Sequence, residues 1–168
     1  MTWIASGKSK KGWIIGGSIA GGVLLVLVII AVTRLGGASS VGTVGQSVRD
    51  GNLEYTVTRT RVGTDFGNAW PRAGNELFVA SVTVKNIGKK FESVSALDQV
   101  AASATKHYNG FAFATDDSSG LLDTEGVVLK PGSTISLEIP WNVPVGTKVL
   151  YLELHGGDSS GGARVNLK

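Results

Sequence analysis

The 168-residue sequence predicts a mainly β protein: an antiparallel immunoglobulin-like β-sandwich preceded by one N-terminal transmembrane helix. Three observations predict this fold class. Residues 12–32 carry no charged side chain and form one long apolar run. Beyond residue 48, short segments alternate apolar and polar side chains, and no amphipathic helical pattern separates them. The chain contains no cysteine, so disulfides and thiolate metal sites are excluded and packing must hold the sandwich together.

The apolar run has the length of a membrane-spanning helix. At ~1.5 Å per residue, residues 12–32 cover roughly 31 Å, close to the ~30 Å hydrocarbon core of a bilayer. Three lysines precede the run, whereas one arginine follows it before residue 49. The positive-inside rule therefore predicts a cytoplasmic segment 1–11, a span at 12–33 in the cell membrane, and an external C-terminal portion. The alternative is a cleaved signal peptide, whose apolar region normally runs for about 7–15 residues.

Small residues recur at four-residue spacing within this helix, at Gly12 and Gly16 and again at Gly17 and Gly21. Such spacing lets two helix backbones approach closely in lipid. The helix is therefore predicted to pack against a second copy, giving a homodimer, or against the helix of another protein. The other interpretation is that glycine is simply common in membrane helices.

The formal charge of +3 does not indicate a nucleic-acid partner. Four of the sixteen Lys and Arg residues flank the apolar run, and all thirteen Asp and Glu residues follow it. The external portion thus carries 12 − 13, or about −1. The excess positive charge is a topology signal, and no nucleic-acid binding is predicted.

The predicted linker covers residues 34–47 and is rich in Gly and Ser. At ~5–6 Å times the square root of its length, such a flexible tether reaches roughly 20 Å and keeps the following domain close to the bilayer. The domain itself is assigned to residues 48–168.

Seven or eight strands are predicted in this domain from period-two alternation and turn residues. The strongest is 76–85, where Phe78, Ala80, Val82 and Val84 share one face. Lys130-Pro131-Gly132-Ser133 is typical of a turn and predicts a hairpin between 127–129 and 134–139. The remaining predicted strands are 53–62, 91–97, 99–105 and 149–155, with 111–113 as a short β-prone piece and 164–167 as a candidate to close the sheet.

Two segments carry a family resemblance. Residues 73–98, AGNELFVASVTVKNIGKKFESVSALD, and residues 128–140, VLKPGSTISLEIP, followed by 146–154, resemble the telokin-like, immunoglobulin-like extracellular domains of bacteria, the domain-of-unknown-function 4352 family. The resemblance spans about residues 48–154 and departs from the family at Trp141-Asn142. It implies an exported, membrane-anchored or lipid-anchored domain without established catalysis, and it transfers no functional residues.

Catalytic and zinc-binding patterns are weak. The Gly157–Gly162 stretch, GDSSGG, is similar to the nucleophile loop of chymotrypsin-like proteases, but an additional serine interrupts it. That chemistry needs a histidine and an aspartate in reach of the serine, and the chain offers only His107 and His155 without the family's surrounding motif. Two isolated histidines do not predict zinc. No enzyme activity and no cofactor are expected.

The densest acidic segment contains Asp116, Asp117, Asp123 and Glu125. Carboxylates and loop carbonyls are ligands that calcium accepts, although the spacing does not fit an EF-hand loop. The segment is therefore either a weak calcium site or a solvated loop.

Phe66, Trp70 and Trp141 lie in or near predicted loops. Two roles are open for these aromatic side chains: packing in the core or at a sheet edge, or contact with a protein partner or a glycan.

The leading functional hypothesis is a single-pass, membrane-anchored, non-enzymatic interaction module that serves as an accessory subunit of a membrane or envelope complex. Its partners would be the lipid bilayer and a protein bound through the helix, the sandwich or both. The alternative is an autonomous domain that binds the cell envelope or a small ligand, including calcium. An exported enzyme is the third hypothesis.

Overall fold

The computed structural model describes residues 40–66, 69–114, 126–157 and 160–168, all within the compact unit Gly37–Lys168. These residues form eleven strands, which we number in chain order. The strands are β1 Val41–Thr43, β2 Ser47–Asp50, β3 Leu53–Gly63, β4 Asn75–Asn86, β5 Glu92–Val94, β6 Val100–Ala102, β7 His107–Asn109, β8 Val127–Leu129, β9 Thr134–Pro144, β10 Tyr151–Leu154 and β11 Ala163–Asn166.

The three longest strands, β3, β4 and β9, build an antiparallel sheet with β2, in the order β2-β3-β4-β9. Alternate side chains are buried over part of this sheet, as in Tyr55 and Val57 of β3 and Val82 and Val84 of β4, whereas β4 is buried on both faces from Leu77 to Ala80. Branched apolar residues at alternate positions favour a half-buried strand, so local sequence and sheet position agree here.

A second sheet has the order β1-β11-β10-β6-β7, and β5 pairs with β8 in a separate ribbon. β1 runs parallel to β11, and the other pairs are antiparallel. One core cluster joins the inner faces of the two sheets, which confirms the mainly β, sandwich-like architecture. Its largest fully buried members are Trp141, Tyr55, Phe113, Leu53, Leu137, Ile139, Leu152 and Leu154.

The structure corrects the predicted start of the domain and one strand connection. The linker prediction 34–47 is wrong for its last residues, because Val41–Thr43 pairs with β11 as an extra strand and β2 begins at Ser47. The turn at 130–133 is present, with the Ser133 N–H donating to the Lys130 carbonyl at 3.1 Å. The predicted hairpin is wrong, since β8 pairs with β5 while β9 pairs with β4.

Polar groups inside the sandwich are paired. Gln99 is fully buried, and its Nε2 donates to the carbonyls of Ser95 at 2.8 Å and His155 at 3.0 Å. Its Oε1 accepts the backbone N–H of His155 at 2.9 Å. The Trp141 Nε1–H donates to the Gln99 carbonyl at 3.0 Å. Because unpaired buried polar groups are costly, this network fixes how the segment before β6 packs against β9 and β10.

Tyr55 connects this network to alkaline stability. Its hydroxyl donates to the His155 carbonyl at 2.8 Å. Burial, reinforced by the negative charges of Asp50, Asp98 and Glu92, raises the pKa of Tyr55 well above its ordinary value. The folded state therefore favours the neutral phenol of Tyr55. Its contribution to stability is fully present below about pH 10 and is lost as the pH rises further, because the phenol then ionises in the unfolded chain.

We expect Tyr55→Phe to remove the part of the stability loss at alkaline pH that comes from ionisation of Tyr55. Near neutral pH the substitution should lower the free energy of unfolding by about 1 kcal/mol, because one hydrogen bond is missing. Chemical denaturation at pH 8 and above pH 10 measures both effects. Tyr151→Phe is the matched control for loss of a phenolic oxygen. An unchanged pH dependence in Tyr55→Phe would contradict the assignment.

The described residues include no helix long and apolar enough to cross a membrane. The predicted span 12–33, with its glycine positions, lies outside the described residues.

Candidate ligand-binding groove

A surface groove lies at the end of the β2-β3-β4-β9 sheet where β4 begins and β9 ends. Its volume is about 380 Å³, within the lower range of small-ligand sites. Three aromatic and three polar side chains line it: Trp70, Tyr108, Phe111, Arg72, Asn109 and Asn142.

One wall is the loop between β3 and β4, held against β9 by Asn142. The Asn142 Oδ1 accepts the backbone N–H of Arg72 at 3.0 Å and the Nδ2–H of Asn75 at 3.1 Å. Asn142 itself pairs with Leu77 in the sheet, so its position is fixed by the β4–β9 register. The Asn142 Nδ2 has no partner among the described residues and offers two N–H donors to the groove.

The opposite wall is formed by β7 and the residues that follow it. The Asn109 Nδ2 donates to the Leu97 carbonyl at 2.9 Å, which fixes this edge strand. Gly110 then forms an isolated bridge with Trp141 of β9. A Cβ at Gly110 would lie 2.5 Å from the Ala96 carbonyl oxygen and 3.1 Å from the Ile139 Cγ2 of β9, so glycine permits the close approach of this wall to both.

Charge in the groove is unbalanced. The Arg72 guanidinium forms no ion pair within the described part of the chain. By contrast, Arg49 pairs with Glu54 at 2.7 Å, and Arg59 and Arg61 pair with Glu138 at 3.2 and 3.4 Å. An unpaired guanidinium presents planar donors that match a carboxylate.

The aromatic side chains supply apolar surface beside this cation. Trp70 is 72% exposed, whereas Tyr108 and Phe111 are half-buried. Trp residues are usually largely buried, so an exposed Trp in a concave site is a candidate anchor for a ligand. The groove can therefore pack an apolar ring face against Trp70 while Arg72 and Asn142 donate to oxygen atoms.

The three aromatic residues singled out from the sequence differ in their burial. Trp141 is fully buried and packs against Phe78, with ring centroids 6.0 Å apart, and Phe66 is buried in a small cluster with Leu77 and Val79. A partner contact at Phe66 or Trp141 is therefore wrong, because neither ring reaches the surface. Trp70 is the member that the groove presents.

Sequence reasoning missed four of the groove residues. Tyr108, Asn109, Phe111 and Asn142 come from two separate segments, which the sheet register brings to the loop that carries Trp70 and Arg72. No residue spacing in the sequence predicts that these side chains lie together. Trp70 beside Arg72, near a loop proline, was the one local signal.

The other candidate metal ligands lie partly outside the described residues. Asp116, Asp117, Asp123 and Glu125 lie outside the described residues. Among the residues that are described, no group of three His, Asp or Glu side chains could hold a metal ion.

The GDSSGG stretch is described only in part. The Ser160 Oγ lies 3.3 Å from the His155 Nδ1, and the His155 ring packs over Gly162, where a Cβ would lie 2.6 Å from the ring. The described residues place no carboxylate in hydrogen-bonding contact with the ring of His155. The Ser–His contact is thus a local loop contact.

Comparison with known families gives a match over most of the sandwich. The family described as Domain of unknown function (DUF4352) matches residues 42–165. The chain belongs to the DUF4352 family. The match begins within β1 and ends within β11, so the DUF4352 domain includes the parallel strand pair that closes one edge of the second sheet.

Solved structures share the fold of this DUF4352 domain at low sequence identity. An uncharacterized β-sandwich protein from Clostridium difficile is 12% identical with a TM-score of 0.55, covering 78% of this chain and 95% of that protein. The secreted protein MPT63 from Mycobacterium tuberculosis is 18% identical with a TM-score of 0.53, covering 78% and 98%. The yjhA protein from Bacillus subtilis is 14% identical with a TM-score of 0.51, covering 76% and 99%. No curated protein matches the sequence.

Proposed function

We propose that this DUF4352 protein is a non-enzymatic binding module of the cell envelope, anchored by a membrane helix at 12–33 with residues 1–11 in the cytoplasm. An immunoglobulin-like sandwich would then stand on the external face. The charge asymmetry around the apolar run supports this orientation. One structural neighbour is described as a secreted protein, which agrees with export.

The groove carries the functional part of the proposal. An exposed Trp70 lines the 380 Å³ site together with Arg72 and Asn142. Among the described residues, the Arg72 guanidinium forms no ion pair and the Asn142 Nδ2 has no hydrogen-bond partner. A ring with an apolar C–H face, a carboxylate and hydroxyl groups satisfies all three features at once. The ligand class is therefore a carboxylate-bearing saccharide of the cell envelope. An autonomous domain that binds the cell envelope is therefore better supported than an accessory subunit of a membrane complex.

Carboxylated saccharides test the proposal directly. The probes are N-acetylmuramic acid and a uronic acid disaccharide, with N-acetylglucosamine and a neutral disaccharide as controls. Calorimetry or NMR titration of the full chain in mild detergent should show binding of the acidic sugars and much weaker binding of the neutral ones. Equal binding of both classes, or none, would contradict a site built around Arg72.

Substitutions in the groove should separate its two contributions. We expect Arg72→Gln to lower affinity for the acidic sugar by roughly 10-fold or more and to abolish discrimination against the neutral sugar, because a charge-assisted hydrogen bond is lost. Trp70→Ala should lower affinity for both sugar classes by a similar factor. Arg59→Gln, an exposed arginine of the sheet face, is the matched control and should bind as the unaltered chain does.

The glycine spacing at residues 12–21 favours a second candidate, an accessory subunit of a membrane complex. Its test is the set of proteins that co-purify with the full chain from mild detergent in near-equal amount. Replacing Gly16, Gly17 and Gly21 by leucine should release a partner held through the helix. Release would support this role, and retention would exclude the helix as its docking site.

A further inference from the structure

A basic and apolar surface lies at the end of the sandwich away from the groove. It consists of four lysines and three exposed apolar side chains around the end of β4. We name it the basal patch, and its members are Lys85, Lys89, Lys90, Lys130, Ile87, Phe91 and Val128. Lys85 lies eight residues along β4 from Leu77, so roughly 27 Å of strand separates the basal patch from the groove.

One buried side chain holds the loops of the patch together. Asn86 is fully buried, and its Nδ2 donates to the carbonyls of Lys90 at 2.7 Å and Leu129 at 3.0 Å. Its Oδ1 accepts the Gly88 N–H at 2.9 Å, and its backbone carbonyl accepts the Gly132 N–H at 2.9 Å. The turn after β4 and the turn before β9 therefore form one built surface.

The patch carries uncompensated positive charge. None of its four lysine ammoniums forms an ion pair with a carboxylate of the described residues. The neighbouring Glu92 accepts the Asn52 Nδ2–H at 2.7 Å, and the nearby Arg49 and Glu54 neutralise each other. Counting Glu92, the patch keeps 4 − 1, or about three, positive charges. Asp50 lies at the same end of the sheet but is buried, and its Oδ2 accepts the Gly156 N–H at 2.7 Å.

Apolar side chains stand among these cations. Phe91 is 64% exposed and Val128 is 67% exposed, on the paired β5–β8 ribbon and its approach, and Ile87 is 39% exposed in the turn after β4. Exposed aromatic and branched side chains interspersed with lysines are typical of surfaces that enter the headgroup region of an anionic bilayer.

The position of the first described residues also indicates that the basal patch faces a bilayer. Near the start of the described residues, the Ser40 hydroxyl donates to the Arg49 carbonyl at 2.9 Å. Arg49 pairs with Glu54 and Glu54 pairs with Lys85, so Ser40 lies at the same end of this sheet as the basal patch. The apolar run that predicts the span ends about seven residues earlier in the sequence, a separation of at most roughly 25 Å of extended chain.

We propose that the basal patch docks on the anionic phospholipid surface of the membrane that anchors the chain. Lysine ammoniums would contact lipid phosphates while Phe91, Val128 and Ile87 enter the headgroup layer. The groove, at the other end of β4, would then face away from the bilayer. This inference rests on the membrane anchoring proposed above, although the groove's ligand is independent of it.

Site-directed spin labelling of the full chain tests the docking. The sequence contains no cysteine, so Val128→Cys gives one label in the patch and Val62→Cys, an exposed residue near the groove end of β3, gives the control. Chains are placed in nanodiscs of phosphatidylcholine with or without phosphatidylglycerol. We expect the label at 128 to be shielded several-fold from a water-soluble nickel complex in the anionic discs, and the label at 62 to remain accessible.

Charge variants identify the contact. Lys89→Gln with Lys90→Gln should reduce the ratio of docked to undocked chains on the order of fivefold per lysine, and high salt should act in the same direction. Lys106→Gln with Lys148→Gln is the matched pair outside the patch and should leave shielding unchanged.

The possible outcomes distinguish the proposed membrane anchoring from the proposed docking of the basal patch. Chains that fail to co-elute with nanodiscs would overturn the anchoring and the docking that depends on it. Chains that co-elute with an accessible label at 128 would overturn the docking alone. Equal shielding in neutral and anionic discs, insensitive to salt, would show that the lysines do not recognise anionic headgroups and would overturn the proposal.

Discussion

Replacing Trp141 by alanine is expected to lower the free energy of unfolding by about 3–5 kcal/mol. The indole is fully buried between the two sheets and packs against Phe78. Its Nε1–H also satisfies the Gln99 carbonyl at 3.0 Å, so truncation leaves a large cavity and removes a buried hydrogen bond. Since a domain of this size is stabilised by only about 5–15 kcal/mol, the loss should reduce the folded fraction near physiological temperature.

Trp70→Ala is the matched control for this substitution. Trp70 is the same residue type in the same protein but is 72% exposed, and its removal should cost less than about 0.5 kcal/mol. Chemical denaturation of the full chain in mild detergent, followed by circular dichroism, compares the two. Similar losses from both substitutions would show that Trp141 does not pack as described.

The contrast between these two tryptophans shows what the sequence could predict about the site. Both lie beside a proline and near predicted loops, so local pattern treats them alike. Burial separates them, because β9 continues to Pro144 and carries Trp141 into the core opposite Phe78. The groove depends on the pairing of Asn142 with Leu77 and of Gly110 with Trp141, contacts that no local pattern encodes.

The strands were predictable where side chains alternate or turn residues flank the strand, whatever the strand length. β4 and β8 were predicted to within one residue at each end, because branched apolar residues alternate in one and flank turn residues in the other. β1 and β7 have three residues each and exist through pairing with β11 and β6. The turn at 130–133 was visible from Pro131 and Gly132, but its local chemistry does not say which sheet the next strand joins.

The two proposed binding surfaces, the groove and the basal patch, lie at opposite ends of β4 in one sheet. Pairing of β4 with β9 couples the groove end to the basal end through a continuous ladder, whereas the β3–β4 ladder shifts register between Val57 and Arg59. If lipid fixes the basal patch, the same ladder fixes the direction in which Trp70 and Arg72 face. A binding module on a short tether gains from this, because orientation lowers the entropy that a ligand in the envelope must overcome.

Asn86→Ala is expected to destabilise the domain by about 2–4 kcal/mol. The substitution removes three hydrogen bonds and leaves the Lys90 and Leu129 carbonyls and the Gly88 N–H without their partner. A buried Asn at the last position of a strand otherwise contradicts the apolar pattern of β4, which explains why its side chain must be fully paired.

The effect of this substitution should extend to the loops that Asn86 joins. Amide hydrogen exchange in residues 87–90 and 130–133 should accelerate more than exchange in the centre of β4, because the two turns lose their common anchor. Asn166→Ala is the control, since the Asn166 Oδ1 accepts one exposed hydrogen bond from Arg164 at 3.2 Å. Uniform exchange throughout the domain would mean that Asn86 supports global stability alone. Selective exchange in the two turns would identify it as the residue that shapes the basal patch.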